Sequence, residues 1–438
     1  MDKDIHINEL AAKKKLWLWL PSLYFVKGIP YAVLTILAMV VFKRMGLSNS
    51  VVTFYISWLL LGWIAKPLWR PVVDTLITRR FWILLTELLM AALLYVISIV
   101  IVKDSWLGYS FFYMLLLSVV ACTHDVAVNN YYIEQLNRHS SPRFVVIRRI
   151  FSGISLLIVS GVMAMVGGNM EVITRRIDNS WAFVFYLLSI VVAIFFIYHL
   201  IVLRRPSDDM PIVYRFSVKK FRRMFRRRVV AFFRKPKALH SIIFLVLYPV
   251  SFGLLTRVSV LFLIDRPSYG GLGLSPQDLG FVEGTVGVSA LIVGGIFGLL
   301  LKSRFGLRRS LLLMTLSLLL APLPFLLLSF ELPQELFFIS ICIAAEHFLI
   351  GFGLNAYLAY LEHFSRGIHS SAHKGMSMAI TAFTLMVTGL ISGDWQEAVG
   401  YQNYFTYVTI SGFIMIIVLP LIYTKELPHS STNEHKDK

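Results

Sequence analysis

Residues 16–41 read LWLWLPSLYFVKGIPYAVLTILAMVV, an apolar run interrupted by a single charge, Lys27. At 1.5 Å per residue, a helix of this length spans the ~30 Å hydrocarbon core of a bilayer. Lipid offers the backbone no hydrogen bonds, so a segment of this kind must be helical. Eleven comparable segments follow, at 51–73, 81–102, 107–131, 146–168, 181–203, 239–265, 278–301, 308–330, 334–361, 373–392 and 401–423. The alternating pattern of a barrel strand is absent. Twelve spans account for a chain of 438 residues that is 57% hydrophobic and 15% charged, with a mean hydropathy of +0.72. Such values exclude a soluble domain, a disordered chain and a disulfide-rich secreted scaffold. Cys122 and Cys342 both fall inside apolar segments and suggest neither a structural disulfide nor a zinc site. No metal or cofactor is expected. The first span follows Lys13 to Lys15 and is too long for the core of a cleavable signal.

The excess of basic residues orients the chain. With the N-terminus cytoplasmic, inside segments hold 33 of the 42 Lys and Arg. Outside loops hold Lys43, Arg44, Lys103, Arg175, Arg176 and Arg266, and Lys27, Lys66 and Arg257 lie within spans. The bias holds in both halves, so both termini are expected inside. Residues 204–238 separate six spans from six. This stretch carries 13 basic residues against Asp208 and Asp209. Val218, Phe221, Phe225, Val229 and Phe232 recur there at helical spacing among Lys219, Lys220, Arg222, Arg223 and Arg226 to Arg228. That pattern predicts a basic amphipathic helix lying on anionic lipid rather than a nucleic-acid site.

The reading is an all-α membrane protein with a cytoplasmic N-terminus (1–15) and a six-helix bundle (16–203). A basic linker (204–238), a second bundle (239–423) and a cytoplasmic tail (424–438) follow. A 6 + 6 layout with a long central loop points to the major facilitator architecture, in which two bundles rock around a midplane site. Lys27-Gly28-Ile29-Pro30 in the first span and Pro249 with Gly253 in the seventh interrupt equivalent helices. Proline removes a backbone donor and kinks a helix, so irregular backbone there either lines a cavity or serves packing. The turn Arg304-Phe305-Gly306-Leu307-Arg308-Arg309, and Asp74 followed by Arg79-Arg80, resemble the latch turns of that architecture. Asp74, Arg79, Arg80, Arg304 and Arg308 are therefore gating candidates.

A charge at bilayer depth costs ~2.5–3.5 kcal/mol on insertion scales, which makes each one a functional candidate. Lys27 lies ~16 Å into the first span, and Lys66 and Asp125 each lie ~10 Å from the cytoplasmic end of theirs. Asp125 can pair with either lysine. It shares a helical face with Cys122 and Asn129, while His124 beside it is rotated by about 100°. Asp125 is the leading proton-coupling candidate; static helix pairing and cargo binding are the alternatives. In the second half Glu346 and His347 lie mid-span, with Glu346 a second coupling candidate. Arg257 and Glu283 fall in the outer thirds of spans seven and eight and suggest an outside gate pair. Lys27, Lys66, His124, Asn129, Arg257 and His347 are the candidate cargo contacts. Glu87 is expected to pair with a neighbouring base. Tyr31, Trp58, Trp63, Trp69 and Tyr131 are candidates for stacking on sugar faces, although aromatics in spans commonly serve as anchors.

Lys66-Pro67-Leu68-Trp69-Arg70-Pro71-Val72-Val73-Asp74 resembles the span-two signature of the muropeptide permease (AmpG) family and its relatives, the acetyl-coenzyme A transporters. Gly28-x-Pro30, Ala121 to Asn129, Gly351-x-Gly353 and the Gly389 to Gly400 region are similar to further segments of that family. The resemblance implies proton-driven import of anhydromuropeptides across a bacterial inner membrane, with Lys66, Asp74 and Asp125 among the functional residues. A monomer is expected. The chain departs from the family at His124 and Asn129, where the family carries Gln and a second Asp. That departure leaves another anionic cargo open. Export or antiport of an amphiphilic or coenzyme-like solute is the competing reading. A membrane enzyme is disfavoured, since no Ser-His-Asp pattern, metal-ligand cluster or phosphate loop accompanies the intramembrane histidines.

Overall fold

The computed structural model describes residues 2–68, 73, 77–135, 142–203 and 218–422, and every regular element among them is helical. In chain order the first half contains α1 (Leu16–Arg44), α2 (Asn49–Leu68), α3 (Arg79–Val100), α4 (Trp106–Gln135), α5 (Phe144–Thr174) and α6 (Ile177–Val202). A linker helix (Val218–Phe233) leads to α7 (Ala238–Ile264). Two apolar helical stretches, Pro276–Glu331 and Ser370–Ile422, run for 56 and 53 residues. Each is about twice what one crossing needs. Gly306 and Gly400 break them with φ of 76° and 78°, a left-handed backbone that glycine adopts without a Cβ penalty. These turns divide them into α8 (276–305), α9 (307–331), α11 (370–399) and α12 (401–422), around α10 (Leu336–Phe364). Ten continuous apolar helices, two of double length, are thus consistent with the twelve spans read from the sequence.

The two prolines act differently. Pro30 sits within a continuous α1, which widens to a π-helical turn just beyond it at Val33–Leu37. Pro249 breaks α7 into Ala238–Leu247 and Val250–Ile264. π-helical turns also occur in α5 (Ile158–Val162) and α8 (Gly280–Gly287), where the two halves cross. A Cβ on Gly284 would collide with the backbone of Gly161, so only glycine permits this approach. The α2–α11 crossing depends in the same way on Gly393, set against Thr53 and Asn49. Both crossings bring the two halves together on the side away from the linker.

The linker helix docks through one face. Phe232 is buried, 5.3 Å from the Phe364 ring and 5.6 Å from the His373 ring. Arg222, Arg223, Arg226 and Arg227 remain exposed.

Candidate functional site

A cavity of about 500 Å³ lies between the halves, on the linker side of these crossings. Its wall is mainly apolar, built from Leu156, Ile292, Leu299, Leu354 and their neighbours. Lys27, Asp125 and Arg149 supply its charge, and Asn355 adds a polar side chain. Asp125 is the one carboxylate among the described lining residues. Tyr31 and Trp63 pack edge to face at 5.7 Å on the same wall. The other aromatic candidates point elsewhere: Tyr131 is buried against Trp19, and Trp58 packs on Phe54. Trp69 falls outside the described residues.

The sequence left Asp125 with a choice between two lysines, and the fold uses both. Lys27 Nζ lies 2.6 Å from Asp125 Oδ1, while Lys66 pairs with Oδ2. Lys66 is the more deeply buried of the two lysines. Asn129, one helical turn after Asp125, donates from Nδ2 to Asp125 Oδ1 at 3.0 Å and accepts from Lys27 Nζ at 3.2 Å. It also accepts from the Tyr24 hydroxyl. Helices α1, α2 and α4 therefore meet at one carboxylate. His124 turns away from this cavity. Its Nδ1 is 2.9 Å from Thr86 Oγ1, and its ring is fully buried near Glu87. Glu87 in turn pairs with His199 at 2.7 Å, so its neighbouring base is a histidine. The 100° rotation between adjacent helical positions separates Asp125 from His124.

In the second half Glu283 on α8 pairs with α10 rather than with Arg257. Glu283 Oε1 lies 3.7 Å from His347 Nε2, and Glu346 Oε2 lies 2.5 Å from His347 Nδ1. This cluster does not line the cavity. Arg257 is buried in α7 beside Gly389 of α11, with no described carboxylate within ion-pair range. Arg257 and Glu283 therefore do not form the expected pair, and a network that the sequence did not reveal joins the halves elsewhere. Lys43 at the end of α1 pairs with Asp265 at the end of α7 at 2.6 Å. Asn49 Nδ2 donates to Asp265 Oδ2 at 2.8 Å and to Gln396 Oε1 at 2.6 Å. The Tyr401 hydroxyl donates to the same aspartate at 2.5 Å. Each of these groups sits at a helix end, where apolar spacing carries no information about its partner.

Arg149 was also hidden. It lies in the first turn of the apolar segment that begins at 146, and helix extends before α5 as far as Pro142. Arg149 Nη1 donates to Asn355 Oδ1 at 2.6 Å, and Asn355 Nδ2 donates to Gly351 O at 2.9 Å and Gly295 O at 3.1 Å. That chain links α5, α10 and α8 across the cavity. Among the gating candidates, Arg79 pairs with Glu134. Arg80 donates to the last carbonyls of α6, Leu200 O and Leu203 O, both at 2.8 Å. Arg304 lies over the Phe305 ring at 5.5 Å, and Arg308 opens α9. Asp74 lies outside the described residues.

Comparison with known proteins gives this geometry a context. The family model described as Major Facilitator Superfamily matches residues 22–345. A Rickettsia conorii protein provisionally named transporter AmpG 4 is 20% identical over 91% of this chain and 94% of its own. The anhydromuropeptide permease of Escherichia coli K12 is 23% identical over 52% of this chain and 44% of its own. Among solved structures, a POT family transporter in complex with 5-aminolevulinic acid superposes with a TM-score of 0.70 at 12% identity, covering 93% of this chain and 96% of that one.

Proposed function

The chain belongs to the Major Facilitator Superfamily and is an AmpG-like, multi-pass membrane transporter rather than an enzyme; on that premise we propose that it is a proton-coupled importer of an anionic, cell-wall-derived solute of the anhydromuropeptide type. The observation that carries this reading is the Lys27–Asp125–Lys66 cluster at the cavity wall. With Asp125 ionised, both lysines are held. Protonation removes the negative charge and frees Lys27, which with Arg149 then receives the anion of the cargo. Deprotonation restores the pairs and expels the anion. Glu346, beside His347, is the second candidate for proton exchange.

The reading places the protein in a bacterial inner membrane with both termini cytoplasmic, acting as a monomer. The bundles 16–203 and 239–423 rock about the basic linker, whose exposed arginines meet anionic lipid. In that orientation the cavity faces inward and the Lys43–Asp265 network closes the outside. Lys27 supplies, and Lys66 and Asn129 support, the cationic surroundings of the cargo.

Labelled anhydromuropeptide offered to vesicles of both orientations tests the proposal. Accumulation should require an inward proton gradient and should disappear in Asp125→Asn while the protein still assembles. Gradient-driven accumulation in that variant would remove Asp125 as the coupling group. The mainly apolar wall favours one second reading, transport of an amphiphilic anion by exchange. Counterflow without a gradient in the same vesicles identifies it.

A further inference from the structure

A second pocket, of about 280 Å³, with none of the lining residues of the transport cavity, lies where the linker enters α7. It is framed by the linker exit, the start of α7, the end of α10 and the end of α12. Arg234-Lys235-Pro236-Lys237 makes the turn between helices, with Lys237 held in a left-handed conformation at φ 54°. A non-glycine residue in that region carries local strain, which persists only where surrounding structure enforces it. The turn folds Lys235 back on the end of α10. Its ammonium donates to Phe364 O and to Arg366 O, the latter at 2.8 Å, and lies 5.1 Å from the Phe364 ring centroid. An ammonium has three hydrogens, so one remains beyond these two bonds.

The chemistry of the wall is two-sided. Lys235, Lys237 and Arg366 line it, with the hydroxyls of Ser241 and Tyr360, which bond each other at 2.8 Å. No carboxylate is among the described lining residues. The nearby Glu362 is engaged by Lys374 at 2.8 Å. Leu421 and Ile422, at the end of α12, form the apolar side. Partial burial holds the Lys235 ammonium below its ordinary value, a cost that an anion beside it offsets. Cations and hydroxyls above an apolar wall, at the end of membrane spans, match a phosphodiester with an attached acyl chain. Basic pockets between membrane helices take acidic lipid headgroups for this reason.

The geometry points to a discrete binding site for one anionic phospholipid headgroup, held by Lys235 and Lys237 and separate from the exposed arginine face of the linker helix. The bound lipid pins the linker to the second bundle, since Lys235 and Phe232 contact the same end of α10. This site does not depend on which solute the protein carries.

Native mass spectrometry of the full chain, released from nanodiscs of phosphatidylcholine mixed with phosphatidylglycerol, reads the site directly. One phosphatidylglycerol should stay bound to the wild type. Lys237→Gln, which leaves the carbonyl contacts of Lys235 intact, should weaken that retention about five-fold, and Lys235→Gln/Lys237→Gln should weaken it further. The variant Arg222→Gln/Arg223→Gln/Arg226→Gln should keep the lipid while losing general affinity for anionic vesicles. Equal retention in wild type and Lys237→Gln overturns the proposal. So does displacement of the lipid by millimolar inorganic phosphate, which would make the site a free-anion site. Loss of the lipid in the triple arginine variant alone would move binding to the linker face and also overturn it.

Discussion

The second and fourth helices of each half carry buried charge, yet the two halves arrange it with opposite balance. In the first half one carboxylate, Asp125, stands between two ammonium groups, Lys27 and Lys66. In the second half one imidazole, His347, stands between two carboxylates, Glu283 and Glu346. Only the first cluster reaches the cavity. A related architecture in the two halves has therefore yielded a cationic site exposed to the cavity and an acidic site packed within protein. A buried charge persists where its partners compensate desolvation, and removing the central member costs more than removing a flanking one. The flanking groups are then left facing each other.

That comparison can be broken most sharply at its centre. Asp125→Ala should cost ~3–5 kcal/mol, because it leaves Lys66 buried without a carboxylate. The melting temperature in detergent measures this, and adding Lys66→Ala should recover much of the loss. Glu346→Ala should cost clearly less, since Glu283 still faces His347; equal losses would mean the clusters are energetically alike. Asp265→Ala removes the acceptor shared by Lys43, Asn49 and Tyr401. The expected penalty is ~1.5–3 kcal/mol against the sealed state. An impermeant thiol reagent should then label Ser57→Cys at the α2–α11 crossing faster than in the parent; unchanged labelling would show that this network does not hold the outside closed. Arg149→Gln should raise the KM for anionic cargo about ten-fold with a smaller change in maximal rate. An unchanged KM would confine cargo recognition to the Asp125 cluster. The exposed pair Arg176–Asp178, at 2.8 Å, serves as the reference. Arg176→Ala should leave both melting temperature and uptake unchanged, as exposed ion pairs contribute little.

Parts of the site are legible in the sequence. Lys27, Lys66 and Asp125 stood out because hydrocarbon makes intramembrane charge rare, and helical rise put Lys66 and Asp125 at similar depth. Asn129 followed from its position one turn after Asp125. Arg149 is not singled out by the sequence because it lies in the first turn of an apolar run, where an arginine reads as part of the basic loop before it. His124 shared the depth of Asp125 but not its direction. Arg257 and Glu283 shared a depth too, yet α7 and α8 present them to different neighbours. The Lys43–Asp265–Asn49–Tyr401 network lay at loop ends, where no periodicity constrains partners.

The sequence by itself determined that the chain is helical, crosses the membrane repeatedly and divides around a basic linker. Those properties follow from local physics: backbone amides need partners in lipid, and each residue's cost of burial depends on its own side chain. Tertiary structure decided that two lysines share Asp125, that Glu283 turns to His347, and that Arg149 and Asn355 meet across the cavity. These choices depend on how helices distant in sequence rotate and approach. Steric fit at positions such as Gly284 and Gly393 sets that approach.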